Sequence, residues 1–242
     1  VLGDRDPAVA QPLARLWGGV STNAGQMALL PIAAVYVGKP DTAYRSAYAL
    51  GFMDNGEAKD LNSAIVAGLA TALATGRDST PASQWQAIMK AMRDTDPYHY
   101  DQIPYVVRPT RKWLNVSQDL VKRSDGSPQR LFQLLESDAQ PRYYWDAHFV
   151  LASTIAILEM CDFDPLASLQ LALDLGHDTD STAQLVGAFA GAMYGKDTFP
   201  RAMRKQVTMR LQIDYGQSLN GWDTLLDELN DSQRYPKVVK WD

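Results

Sequence analysis

WDAHFVLASTIAILEM, residues 145–160, is the most apolar stretch of the chain, and its reading decides the fold. Its apolar residues run on without the alternation of a half-buried strand and for longer than a buried strand extends, so a central helix is predicted there. Asp162 to Pro165 breaks it, and LASLQLALDL, residues 166–175, reads as a second, shorter helix. Downstream, AQLVGAFAGAMYG (183–195) and an amphipathic stretch from Phe199 to about Tyr215 are helical, with a polar tail helix near 222–230. Upstream, helices are predicted at 110–122 and 128–136, separated by SDGSP, and at 81–92 behind Thr80-Pro81. Between 94 and 110, DTDPYHYDQIPYVVRPT carries three prolines and no sustained period, which marks a long loop within one domain. Further helices are read at 58–75, from Asp41 or Thr42 to Met53, over 23–37 as one buried helix, and at 7–17 before Gly18-Gly19. No segment offers β-branched strands with hairpin turns, and no repeat of fixed period is present. The fold is predicted all-α, a single helical domain over residues 1–242.

Composition narrows the function. At 242 residues, 46% hydrophobic and 21% charged, the chain is long enough for a sizeable core without staples. Twenty-three Lys and Arg against 28 Asp and Glu leave a net charge of -5, the wrong sign for a protein that holds nucleic acid through its phosphates. The single Cys161 rules out an internal disulfide framework, and His99, His148 and His177 supply few nitrogen ligands for a metal. No apolar run reaches the length of a membrane span, so neither a membrane nor nucleic acid is an expected partner. The chain begins at Val1 without an initiator Met, which suggests processing or a start partway along a longer protein.

The chemistry concentrates in GHDTDSTAQLVGAFAGAMYG, residues 176–195. Asp178 and Asp180, with the hydroxyls of Thr179, Ser181 and Thr182, stand at the mouth of a helix. Two close carboxylates raise each other's pKa unless a cation or several donors compensate them. All-oxygen ligands of this kind suit Mg²⁺ or Mn²⁺. On spacing alone a second reading stands beside that one: Asp178 or Ser181 caps the helix, a contribution of about 1 kcal/mol. Gly187, Gly191 and Gly195 recur every fourth residue and predict a face in tight contact with a neighbouring helix. Tyr143, Tyr144 and Trp145 read either as core or as an aromatic wall for a base or sugar.

The 176–195 segment resembles the signature of the ADP-ribosylglycohydrolase (DraG-like) family, Gly-Gly-Asp-Thr-Asp-Thr followed by a small-residue helix. Gly176, Asp178, Thr179, Asp180 and Ser181 fall in register, followed by Gly187 to Ala192 and Tyr194-Gly195. Far upstream, Asn23, Met27 and Pro31 are similar in spacing to the family's Gly-Asn-Gly-Ala-Ala-Met-Arg-x-x-Pro segment, and Trp145 to Asp164 resembles the helix before the metal motif. The resemblance implies a compact orthogonal bundle of helices and a hydrolase that cleaves a glycosidic bond at ribose. It implies a small-molecule or protein-linked ADP-ribosyl substrate, a pair of Mg²⁺ or Mn²⁺ ions with Asp178, Asp180 and Ser181 as ligands, and a cytoplasmic location. Asn23, Gly25, Met27, Asp54 and His177 become substrate-binding candidates, Asp54 because it stands, with Asn55, where the family carries a Thr-His pair.

Departures matter as well. His177 replaces a usual Gly, Ala24 a Gly, and Ala28 an Arg, which opens a different ribosylated or nucleoside-like substrate, or a non-catalytic binding module, as alternatives. The family's further ligand segment, Thr-Asp-Asp-Thr, does not occur between Val1 and Asn23. The expectation is therefore that this chain is the C-terminal portion of a longer hydrolase. Its remaining ligands and its acid/base group would lie upstream of Val1 or on a separate chain.

Overall fold

The 145–160 stretch is helical from Ala147 to Met160 in a computed structural model that describes residues 22–51, 54–75, 79–105 and 108–218. Those residues form eleven α-helices: α1 (Ala24–Ala28), α2 (Ile32–Val35), α3 (Pro40–Leu50), α4 (Glu57–Ala74), α5 (Pro81–Asp94), α6 (Pro109–Ser124), α7 (Pro128–Ala139), α8 (Ala147–Met160), α9 (Pro165–Leu175), α10 (Thr179–Tyr194) and α11 (Arg201–Tyr215). Single 3₁₀ turns stand at Tyr100–Gln102 and Lys196–Thr198. Among the described residues the one β feature is an isolated bridge between Thr22 and Asp146. The all-α prediction holds. The expected helices at 7–17 and 222–230 lie outside the described residues.

Two helices are apolar all round, and both are buried, as that pattern requires. Every residue of α8 from Phe149 to Leu158 is buried, and α4 buries an unbroken run from Asp60 to Ala70. The rest of the bundle packs around this pair: α3 and α5 lie on α4, α6, α7 and α9 lie on α8, and α10 touches both. Helix starts follow local chemistry. Pro40, Pro81, Pro109, Pro128 and Pro165 sit in the first turn, where a missing N–H costs nothing. Ser127, Thr80 and Asp164 cap their helices, Asp164 accepting from the Ala167 N–H at 2.7 Å. Asp164→Ala is expected to remove about 1 kcal/mol and lower Tm by about 2–4 °C, read by calorimetry.

Two expectations are corrected. Residues 23–37 are not one helix but α1 and α2, separated by a turn at Leu29–Pro31. Pro31 is the cause: its ring has no N–H and collides with the carbonyl four residues back, that of Met27. The Met27 carbonyl accepts instead from Gln184 Nε2 on α10, at 3.0 Å. The glycine face of α10 also differs from expectation. A Cβ added at Gly187 or Gly191 would meet no atom within 4 Å, so these glycines face open space among the described residues, and Gly195 ends the helix at φ 83°. Close backbone approach occurs elsewhere, at Gly68 against Met92 and at Gly25.

Candidate active site

The turn from α9 to α10 builds the first half of the site. Gly176 and His177 both adopt positive φ, 76° and 59°, which lets the chain reverse in the few residues between the two helices. Asp178 then occupies the N-cap position, yet its side chain caps no backbone N–H of α10. The capping reading is thus not realised by Asp178, and its carboxylate turns to other partners. Ser181, buried in the first turn, contributes its hydroxyl, and Asp180 stands exposed beside it.

The second half comes from the far end of the sequence. The Asn23 amide donates from Nδ2 to Asp178 Oδ2 at 2.5 Å, across 155 residues of chain. Its own segment is held from several sides. The Asn23 N–H donates to the Trp145 carbonyl at 3.0 Å, Gln26 Nε2 donates to the Ala147 carbonyl at 2.8 Å, and the Gly25 N–H donates to Asp54 Oδ1 at 3.1 Å. Met27 is half-buried and contributes its carbonyl to the α10 contact.

Burial pushes the Asp178 carboxyl above the ordinary carboxylate range, and the neighbouring Asp180 adds to that rise, while Ser181 and Asn23 oppose it. A cation placed against both carboxylates would relieve this cost. The donor set fits a hard divalent ion: two carboxylates and a hydroxyl, all oxygen, at the mouth of a helix. Among the described residues no third His, Cys, Asp or Glu side chain joins them in a metal-binding group. Asp54 is only 3% exposed; burial raises its pKa, against the Asn62 amide, the Gly25 N–H and the charge of Lys59.

An aromatic rim borders these groups. Tyr143 and Trp145 stack with centroids 4.8 Å apart and planes 5° apart, and both are substantially exposed. Buried Asp146 shapes the approach to them by accepting from the N–H groups of Arg142 and Tyr143 at 2.7 and 3.1 Å. The His177 ring lies flat on Tyr144 at 3.6 Å, edge-on to Phe149, with Nε2 3.0 Å from Glu136 Oε1.

The structure therefore gathers Asn23, Gly25, Met27, Asp54, Asp178, Asp180 and Ser181 around one corner of α1, α4 and α10, with His177 and the aromatics alongside. Gln26, Asp146 and Gln184, which hold that corner together, and Asn62, buried against Asp54, were not among the residues picked out from sequence. A buried glutamine in an apolar stretch such as 23–37 must find a partner, and that was the available signal for Gln26.

The chain belongs to the ADP-ribosylglycohydrolase family, whose family model it matches over residues 3–234. The match spans nearly the whole chain, and the expectation of a C-terminal portion is not borne out by it. No curated protein and no solved structure matches the chain. Among the described residues no helix is long and apolar enough to cross a membrane.

Proposed function

We propose that this protein removes ADP-ribose from a protein side chain or a small molecule by hydrolysing the glycosidic bond at ribose, with Mg²⁺ or Mn²⁺ held by Asp178, Asp180 and Ser181. The observation that carries this reading is the hydrogen bond from Asn23 to Asp178, because it joins the two segments that resemble the family's substrate and metal motifs. A divalent cation at these oxygens supplies concentrated positive charge for orienting ribose hydroxyls and acidifying water. Any further ligands of a dinuclear set come from outside the described residues. A cytoplasmic location belongs to the same reading.

The chain's own groups do the rest. Asn23 holds Asp178 in place, and the negative charges of Asp178 and Asp180 offset that of the ion beside an oxocarbenium-like ribose. Gly25, without a side chain, lets this segment lie directly on Asp54 and Asn62. Tyr143 and Trp145 offer a flat apolar surface to the base. Trp145→Ala is expected to raise KM about tenfold with kcat nearly unchanged, since base stacking is worth about 1–3 kcal/mol and acts equally on ground and transition states. Steady-state kinetics separates the two constants.

Ala28 favours a second substrate class. It is exposed and carries no charge where the family motif places an arginine, so phosphate is less well served than in that motif, and a ribosylated or nucleoside-like compound with fewer phosphates becomes a competing substrate. The full-length protein with Mg²⁺ should be offered an ADP-ribosylated peptide and a panel of ribosides, with released products separated by chromatography. Release of ADP-ribose supports the first reading. Cleavage of the ribosides alone supports the second, and no cleavage of either would return the protein to the non-catalytic binding class.

A further inference from the structure

The Asn23–Gly25 backbone is pressed against two buried polar side chains that no catalytic role yet uses. A Cβ built on Gly25 would lie 2.1 Å from Asp54 Oδ2 and 2.5 Å from Asn62 Nδ2, so no other residue fits there without displacing the segment. A Cβ on Gly51 would lie 2.8 Å from the same Asp54 oxygen. Asp54 is thus enclosed between two glycines at the foot of α4, with one oxygen accepting from the Gly25 N–H and the Asp54 N–H donating to the Gly51 carbonyl at 3.1 Å. Asn62 is fully buried one turn further along the helix. Such an enclosed carboxylate cannot readily meet substrate, but it can set the position of what lies above it.

We infer that Asp54 is a positioning residue: its carboxylate grips the Gly25 N–H from beneath and fixes residues 23–25 so that the Asn23 amide reaches Asp178. Only Ala24 separates the residue whose N–H is gripped from the one whose amide bonds Asp178, and the Asn23 N–H is itself anchored on the Trp145 carbonyl. With one anchor at Asp54, just before α4, and the other on the 142–146 turn, Asn23 has little freedom. Releasing the Asp54 anchor lets Gly25 rise and the Asn23 amide lose its alignment. The kinetic part of the test rests on the hydrolase reading; the spectroscopic part does not.

The experiment uses ¹⁵N-labelled full chain, following exchange of the Gly25 amide and the side-chain amide resonances of Asn23. In the native protein both are expected to be protected. Asp54→Ala is expected to speed Gly25 exchange about tenfold and to shift the Asn23 side-chain signals. Asp54→Asn keeps an acceptor oxygen within reach and is expected to restore both. In turnover, Asp54→Ala is expected to lower kcat about 10²-fold with KM within about twofold, and Asp54→Asn to recover most of it. If Asp54→Ala does not fold, Asp54→Ser, too short to reach the Gly25 N–H, takes its place. Unchanged Gly25 exchange and Asn23 signals in a folded variant overturn the inference, as does a Gly25 amide that exchanges at the unprotected rate in the native protein. A native protein without turnover would strike only the hydrolase reading, because the amide signals still decide the positioning.

Discussion

Asp178→Ala is expected to lower ADP-ribose release by about 10³-fold or more, with the fold intact. The magnitude follows from what the group is asked to do. A divalent cation that orients the ribose hydroxyls and acidifies the attacking water would lower such a barrier by several kcal/mol, and each 1.36 kcal/mol is tenfold in rate. Asn23 and Ser181 converge on Asp178, which is also the proposed anchor of the cation, so its loss would remove that anchor and leave the Asn23 amide without its acceptor. Its net contribution to stability is small. Burial beside Asp180 disfavours its charged form, and relief of that cost offsets the Asn23 hydrogen bond lost, so alanine is expected to leave Tm nearly unchanged. Loss of activity together with loss of Tm would mean that Asp178 is a structural residue. Asp180→Ala is expected to show a similar loss of rate, most of it recovered at high Mn²⁺, because in the proposed site exposed Asp180 would share an ion that Asp178 positions.

The largest expected loss of stability lies outside these site residues, at Arg108. Its guanidinium is almost fully buried and donates twice to Asp60 Oδ1, at 3.1 and 3.0 Å, and once to the Arg93 carbonyl at 3.0 Å. Asp60 takes two further bonds from Thr110, backbone N–H and hydroxyl, and one from the Tyr44 hydroxyl at 2.6 Å. One carboxylate therefore ties together α3, α4, the end of the 94–110 loop and the start of α6. Arg108→Ala removes the cation and leaves the buried charge of Asp60 uncompensated, a loss expected at about 3–5 kcal/mol. Urea denaturation should show the midpoint falling by more than about 1 M with little change in slope. Replacing both partners together, Asp60→Asn with Arg108→Met, is expected to recover a good part of that loss, because it removes the buried charge as well. If the double variant is no better than Arg108→Ala, the ion pair is not what holds these elements.

Much of the fold was legible because the signals were local. Apolar density without alternation marked α4 and α8, and prolines and caps marked the starts of α5, α7 and α9 to within a residue or two. The break at Pro31 was written in the sequence too, but the surrounding Met27, Leu29, Leu30 and Ile32 made the stretch read as continuous. Half of the site was legible for a different reason: Asp178, Asp180 and Ser181 share one turn, so their proximity needs no tertiary information. Asn62 and Gln184 were not legible. Each is a common residue on a helix, and its meaning comes only from what the fold sets opposite it, the Asp54 carboxylate and the Met27 carbonyl that Pro31 frees. The glycines of α10 show the converse. Their spacing signals close packing, but spacing cannot say which neighbour arrives, and among the described residues none does.

The most direct test of the site is the divalent-cation dependence of ADP-ribose release by the full-length protein. Turnover should vanish in a chelator, return with Mg²⁺ or Mn²⁺ along a saturable curve, and require a much higher concentration in Asp180→Ala. Turnover that persists undiminished in the chelator, with the same rate in Asp180→Ala, would contradict a cation site at Asp178, Asp180 and Ser181.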